Sequence, residues 1–272
     1  MKRALLGGGT GRGGKASPLR FICFNPTNTR GNDVLGECTG GVTRFVAAAG
    51  KRWYVFDMDG TCYRTVGGDE EGKVVGKPVS HTRAITAMCY QDRRVYTGSL
   101  DTTVRVWELD EHDCVATLEG HTGAISCVAA DAFKVFSASS DLSVRIWDAV
   151  HPPYRCLHIV LGHTRSVVCI HKPSGKKFVT GGRDCELKVW TMQASSSAAA
   201  AQVKRVDCLH SMLGHGCAVT CAQLSVAECV SGGEDGRIII WSADDGTRLR
   251  TLDNAHKGAV LCLRFDVTKI IS

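Results

Sequence analysis

GHTGAISCVAADAFKVFSASSDLSVRIWD, residues 120–148, carries the spacing that decides the fold. His121 opens it, Ser137 follows at sixteen residues, Asp141 at twenty and Trp147 at twenty-six. Thr97, Asp101 and Trp107 stand at the same offsets from His81, and Ser231, Asp235 and Trp241 from His215. After His163 the set is Thr180, Asp184 and Trp190, each one residue later. His256 begins another copy, in which Ser272, sixteen residues on, is the last residue. Self-similarity at a period of roughly 40 residues fixes the architecture before any local reading.

Each copy holds four strand-sized runs; in the second they are AISCVAAD, KVFSAS, SVRIWDA and YRCLHIVL. Enrichment in Val, Ile, Cys and Thr with alternation fits strands buried on one or both faces. Ser140-Asp141 and Asp235-Gly236 supply tight-turn chemistry between runs. The expectation is an all-β chain with full copies at 81–120, 121–162, 163–214 and 215–255 and a partial copy at 256–272. Residues 18–80 read as a degenerate copy that lacks the four-residue set. There Phe56-Asp57 stands in the tryptophan's place, Trp53 is not a repeat tryptophan, and Asp59-Gly60 signals a hairpin. Polar insertions at 28–41 and 67–73 read as surface loops. The Gln193 to Ala201 segment, QASSSAAAA, reads as a flexible outer loop, too short for an isolated helix. A copy that stops inside its second strand leaves an unpaired edge, so the chain is expected to be a C-terminally truncated polypeptide.

The net charge of +6 is unevenly placed. Residues 1–20 carry Lys2, Arg3, Arg12, Lys15 and Arg20 and no acid, leaving +1 for the rest. Residues 1–17 are expected to be a disordered, Gly-rich basic tail. Gly9 to Gly14 fits a dinucleotide fingerprint and Gly9 to Lys15 nearly fits a phosphate loop. Neither has the preceding strand or following helix that would aim backbone N–H groups at a phosphate.

Seven of the fourteen cysteines fall in two columns. Cys127, Cys169, Cys221 and Cys262 lie six residues after a repeat histidine, and Cys114, Cys156 and Cys208 seven before one. Inside strand-like runs they read as small core hydrophobes, not as disulfides or metal ligands. Cys217 and Cys221 share a strand in this reading and lack a second pair at zinc-site spacing. The sequence shows no export signal and no membrane-spanning apolar run, so the expected location is the cytoplasm, with the nucleus as the alternative.

Gly-His at 120–121, 162–163 and 214–215, with Trp-Asp at 147–148, resembles the WD40 repeat family, strongly over 81–272 and weakly over 18–80. The resemblance implies a β-propeller, one four-stranded blade per copy. Ser80 and Ala255 depart from the Gly before His, and Glu108, Thr191 and Ser242 from the Asp after Trp. It also implies a structural tetrad in which Trp bonds Ser/Thr, Ser/Thr bonds His and His bonds Asp. A Ser/His/Asp set recurring four times, always with Trp, is not a nucleophile with its base, since a catalytic set occurs once beside an oxyanion site. The chain is accordingly expected to be no enzyme and to need no cofactor, metal or small-molecule substrate.

In propellers of this kind partners dock on the top rim, near the His and just before the tetrad Asp. Here those positions are Arg83, Arg165 and Lys257, with Leu100, Ser140, Arg183 and Glu234. Arginines from separate copies suit an acidic or phosphorylated peptide through bidentate contacts, whereas solvated loop arginines are the plainer alternative. The expected function is a non-catalytic protein-interaction scaffold in a multiprotein complex. One alternative is the N-terminal propeller of a larger enzyme or of a ubiquitin-ligase substrate receptor. A second is nucleic-acid binding through the basic tail, which the near-neutral body disfavours.

Overall fold

A computed structural model describes residues 21–24, 44–57, 62–67, 80–91, 93–108, 113–173, 175–194, 203–253, 256–266 and 269–272. Every regular element among them is a strand. Blade 1 comprises β1 (Phe21–Phe24), β2 (Arg44–Ala49), β3 (Arg52–Asp57) and β4 (Cys62–Val66). Blade 2 comprises β5 (Ile85–Gln91), β6 (Arg94–Ser99), β7 (Val104–Glu108) and β8 (Cys114–Leu118). Blade 3 has β9 (Ile125–Ala130), β10 (Lys134–Ser139), β11 (Val144–Asp148) and β12 (Cys156–Val160). Blade 4 has β13 (Val167–His171), β14 (Lys177–Gly182), β15 (Glu186–Ala194) and β16 (Val203–Leu213). Blade 5 has β17 (Val219–Leu224), β18 (Glu228–Gly233), β19 (Ile238–Ser242) and β20 (Arg248–Leu252). A hairpin of β21 (Arg264–Phe265) and β22 (Ile270–Ile271) follows. Strands pair in chain order within each sheet, all antiparallel, so short turns suffice to build a blade.

Burial follows from stacking sheet on sheet. The second strands are buried on both faces, as in Val95–Ser99 and Val135–Ser139, because a neighbouring blade covers each side. The fourth strands are half exposed. The core is accordingly a series of inter-blade layers. Trp53 and Val55 of blade 1 pack with Ile85, Val95 and Trp107 of blade 2. Phe136 and Ile146 pack with Val167, Phe178 and Trp190, the two phenyl rings 5.4 Å apart. Val230 and Ile238 of blade 5 pack with Val260 and Leu263 ahead of the last hairpin.

A bulge recurs in the first strand. In blade 2, Ile85 pairs Ser99 while Ala87 pairs Gly98, leaving Thr86 out of the ladder. Ser126, Val168 and Thr220 are bulged in the same way. A bulge re-aims its side chain, and here the hydroxyls reach the next blade. Thr86 Oγ1 donates to Ile125 O, Ser126 Oγ to Val167 O at 2.5 Å, and Thr220 Oγ1 to Val260 O. Val168 has no hydroxyl to offer.

Blade 1 confirms and explains the degenerate copy. Phe56 holds the position of Trp107, with the same register shift just before it, and Trp53 sits three residues earlier, where other blades have Val104, Val144, Leu187 and Ile238. The indole has moved along the strand: Trp53 is fully buried and meets Trp107 edge-on at 5.8 Å. Ala47 replaces the tetrad hydroxyl, being paired with Tyr54 as Thr97 is with Arg105.

Three expectations need correction. Gln193 and Ala194 are strand, not loop, because β15 and β16 pair outward as far as Ala194 and Val203, lengthening the hairpin; residues 195–202 lie outside the described residues. Cys217 precedes β17 in a loop and does not share its strand with Cys221. The cysteine columns are not uniformly core. Cys169 is buried, Cys208 and Cys262 are exposed, and the others are partly buried. Cys127, Cys169 and Cys221 face Ala138, Gly181 and Gly232 across the ladder, so a thiol fills space that a small partner leaves. Cys114, Cys156 and Cys208 instead sit on outer strands, each thiol bonded to the carbonyl two residues on, at 3.4, 3.5 and 3.5 Å. The basic tail with its glycine motifs, the insertion at 28–41, most of that at 67–73, and Asp59-Gly60 lie outside the described residues.

Candidate partner-binding rim

The four tetrads form closed hydrogen-bond chains. In blade 3, Trp147 Nε1 donates to Ser137 Oγ at 2.8 Å, Ser137 Oγ lies 2.8 Å from His121 Nε2, and His121 Nδ1 lies 2.7 Å from Asp141 Oδ2. The corresponding distances are 2.8, 2.8 and 2.8 Å through Trp107, Thr97, His81 and Asp101. They are 2.8, 2.8 and 2.8 Å through Trp190, Thr180, His163 and Asp184. Through Trp241, Ser231, His215 and Asp235 they are 2.9, 2.8 and 3.1 Å. Indole N–H can only donate, so the hydroxyl accepts from it and donates its own proton to Nε2. That leaves Nδ1 carrying the proton given to the carboxylate, a neutral imidazole throughout.

The electrostatics agree with this assignment. Burial, opposed by the neighbouring carboxylates, lowers the pKa of His121, His163 and His215. Burial alone would raise the Asp141 carboxyl, but the Ser143 hydroxyl and His121 hold it down to about 2. Asp184 is likewise lowered against burial by His163, and Asp235 by the backbone N–H groups of Gly216 and Arg237.

Each carboxylate is also the hinge pin of the rim. Asp141 Oδ2 accepts the Thr122 N–H at 3.0 Å, and Oδ1 accepts Ser143 N–H and Oγ–H at 3.0 and 2.6 Å. The loop after the histidine is thereby clamped to the turn between the second and third strands. Ser143 and its counterpart Thr103 escaped the sequence reading, although a hydroxyl two residues after Asp recurs. The turn itself requires a left-handed residue, filled by Thr102, Leu142, Cys185 and Gly236 at φ 73°, 72°, 67° and 73°.

The seven rim candidates stand on this clamped edge. Arg83 is exposed, and its Nη1 donates to Leu100 O at 3.3 Å, so these two meet on blade 2. The Arg183 N–H donates to Ser166 O at 2.9 Å, which brings Arg183 beside Arg165 on blade 4; both are exposed. Ser140 is exposed on blade 3, where no arginine accompanies it. His256 N–H donates to Gly236 O at 3.3 Å, so the loop carrying exposed Lys257 abuts the turn carrying exposed Glu234. Among the described residues Arg83, Arg165 and Arg183 form no ion pair with protein carboxylates. No group of three or more His, Cys, Asp or Glu side chains among them is placed to hold a metal ion.

Radially stacked four-stranded blades, each closed by a Trp–Ser/Thr–His–Asp chain, define a β-propeller of WD repeats. The chain belongs to the WD40 family (WD domain, G-beta repeat), whose repeat matches residues 72–108, 112–148, 154–191 and 206–242. It is similar to Mitochondrial division protein 1 of Kluyveromyces lactis, 22% identical over 190 residues, 68% of this chain and 21% of that protein. The protein of the same name from Eremothecium gossypii is 29% identical over 94 residues, 35% of this chain and 13% of that one. The chain thus spans about a fifth or less of the length of these curated relatives. Among solved structures it is similar to the computationally designed Ika8 protein, with a TM-score of 0.65 and 27% identity over 83% of this chain and 64% of that one. WD repeats are protein-interaction scaffolds, and no described helix is long and apolar enough to cross a membrane.

Proposed function

We propose that this propeller is a non-catalytic scaffold, acting in the cytoplasm, whose rim captures an acidic or phosphorylated segment of a partner protein. The observation that carries this reading is the set of three exposed arginines, Arg83, Arg165 and Arg183, on clamped loops and without carboxylate partners among the described residues. A planar guanidinium left unpaired can take a carboxylate or phosphate in two parallel bonds. The tetrads support a role without chemistry, because every hydroxyl and ring nitrogen in them already has a partner. The likeness to the mitochondrial division proteins runs over the repeats and supports an interaction module, with no specific argument for a part in division.

The test is fluorescence anisotropy with acidic peptides carrying phosphoserine or serine. The reading expects the phosphorylated form to bind more tightly and the combined Arg83→Glu, Arg165→Glu, Arg183→Glu variant to lose at least about tenfold in affinity. Equal affinity in the variant, with an unchanged melting temperature, moves the binding surface elsewhere.

A further inference from the structure

The blades have a second end, away from the rim. β6 runs from Arg94 to Ser99 and β10 from Lys134 to Ser139, so the rim turns with Leu100 and Ser140 follow one end of these strands. At the opposite end a cavity of about 230 Å³ opens between blades 2 and 3. Arg94 and Glu108 of blade 2 line it, with Asp131, Ala132, Ala149 and Val150 of blade 3. That volume admits one long side chain, whereas clefts for whole small ligands run to about 300–1,000 Å³.

The walls are fixed and their charges are unevenly engaged. Arg94 spans the junction: Nη1 donates to Ala149 O at 2.6 Å and Nε to Glu108 Oε2 at 3.2 Å. Oε1 of Glu108 has no further donor among the described residues. Asp131 Oδ1 accepts the Phe133 and Lys134 N–H groups at 2.9 and 2.8 Å, which leaves Oδ2. The Lys172 ammonium lies 3.4 Å from that oxygen but donates at 2.6 and 2.7 Å to Pro173 O and Gly175 O. One carboxylate on each wall therefore keeps an oxygen for a new donor. Glu108 stands where blade 3 has Asp148, whose oxygens are taken up by Val150 and His151 of its own turn. The mouth is apolar. Ala149 N–H donates to Phe133 O, which sets Val150 near Phe133, and these two side chains are 41% and 55% exposed. Lys134 Nζ lies 5.9 Å from the centroid of the Phe133 ring and leaves it that exposed.

We propose that this cavity receives a lysine side chain of a partner protein, with an apolar neighbour of that lysine packed on Phe133 and Val150. A compact ammonium has three donors that can reach carboxylates on two walls, whereas a guanidinium pairs best with one carboxylate in a fork. A free amine would leave the exposed phenyl uncovered, so the occupant is a protein segment, which gains by burying that apolar surface. The site is separate from the rim arginines and stands whether or not they bind a partner.

The test is an NMR titration of the folded full chain carrying isotope-labelled alanine and valine methyl groups. The probe is a short peptide with one lysine between two leucines. The methyl signals of Ala132, Ala149 and Val150 are expected to shift saturably. A peptide with norleucine for lysine, and butylamine alone, should each bind at least about threefold more weakly, the scale of an exposed ion pair. Glu108→Gln, which can still accept from Arg94, should weaken the lysine peptide by at least about threefold. Ala132→Leu, on an exposed turn, should fill the cavity and abolish the shifts at Ala149 and Val150. Melting scans establish that the variants fold, and Ala132→Leu serves if Glu108→Gln does not. Combined Arg83→Ala, Arg165→Ala, Arg183→Ala should leave the titration unchanged. Absent methyl shifts, equal binding of norleucine peptide or butylamine, unchanged binding in Glu108→Gln or Ala132→Leu, or loss in the rim variant overturns the proposal.

Discussion

Asp141 gathers much of its repeat's chemistry, because its two oxygens accept from His121, Thr122 and Ser143, as Asp101 does in blade 2. Asp141→Ala would take from the buried His121 N–H its 2.7 Å acceptor, leaving only the Ser143 hydroxyl at 3.4 Å, and release the rim turn. The expected loss is about 1–3 kcal/mol, measured by urea unfolding; an unchanged midpoint would remove the tetrad's structural role. The histidines add a pH dependence whose sign follows from burial. His121, His163 and His215 have folded pKa values pressed below the ordinary value, which is about 6.5 in the unfolded chain. As pH falls through that value the unfolded state takes up protons that the folded state refuses, so stability falls. Asp141 adds a further loss as pH drops from the ordinary carboxyl range, about 4, to its own folded value of about 2. The melting temperature is therefore expected to be flat between pH 7 and 8 and to decline below about pH 6.5. A rise on mild acidification would show the tetrad histidines to be charged in the folded chain.

At the scale of the element, the bulged first strand joins one blade to the next. Three of four bulges carry a hydroxyl that bonds the neighbouring blade, and blade 4 carries Val168 instead. There the carbonyl of Val219 receives only a long contact of 3.9 Å from the Cys169 thiol. Val168→Thr should supply the missing bond and raise stability by about 0.5–1.5 kcal/mol, seen as a higher melting temperature. A decrease would mean that the added hydroxyl finds no acceptor. The sequence did not show this ladder, because each bond joins residues 39 to 41 apart, a separation that carries no local pattern. Strands and tetrads were legible because their residue types recur at fixed offsets and their bonds close within one copy. Blade 1 was harder to read. Phe56 and Ala47 erase the polar signature, and Trp53 keeps the indole volume at a different position of the same strand. The rim candidates could be named from their offsets to His and Asp. That Arg165 and Arg183 are neighbours, while Lys257 lies beside Glu234, required the fold.

Across the whole molecule, stability is a chain of nearest-neighbour interfaces, as in other stacked repeats, and one column sets how closely the blades approach. The residue after the tetrad hydroxyl is Gly98, Ala138, Gly181 or Gly232. At Gly181 an added Cβ would lie 2.6 Å from Val219 Cγ1 of the next blade and 2.7 Å from Cys169 Sγ of its own. At Gly232 it would lie 2.6 Å from Val260 Cγ1 and 2.9 Å from Cys221 Sγ. Blade 3 accommodates the methyl of Ala138, fully buried, so the restriction belongs to each junction and not to the repeat as such. Gly181→Ala is therefore expected to overpack the blade 4–blade 5 layer at a cost of about 1–3 kcal/mol. Because each blade leans only on its neighbours, the effect should be local. Hydrogen exchange should quicken first in β13 to β20, while β5 to β8 of blade 2, separated from that layer by blade 3, keep most of their protection. Uniform acceleration across all blades would instead show that the propeller opens as one cooperative unit, with no weakest junction.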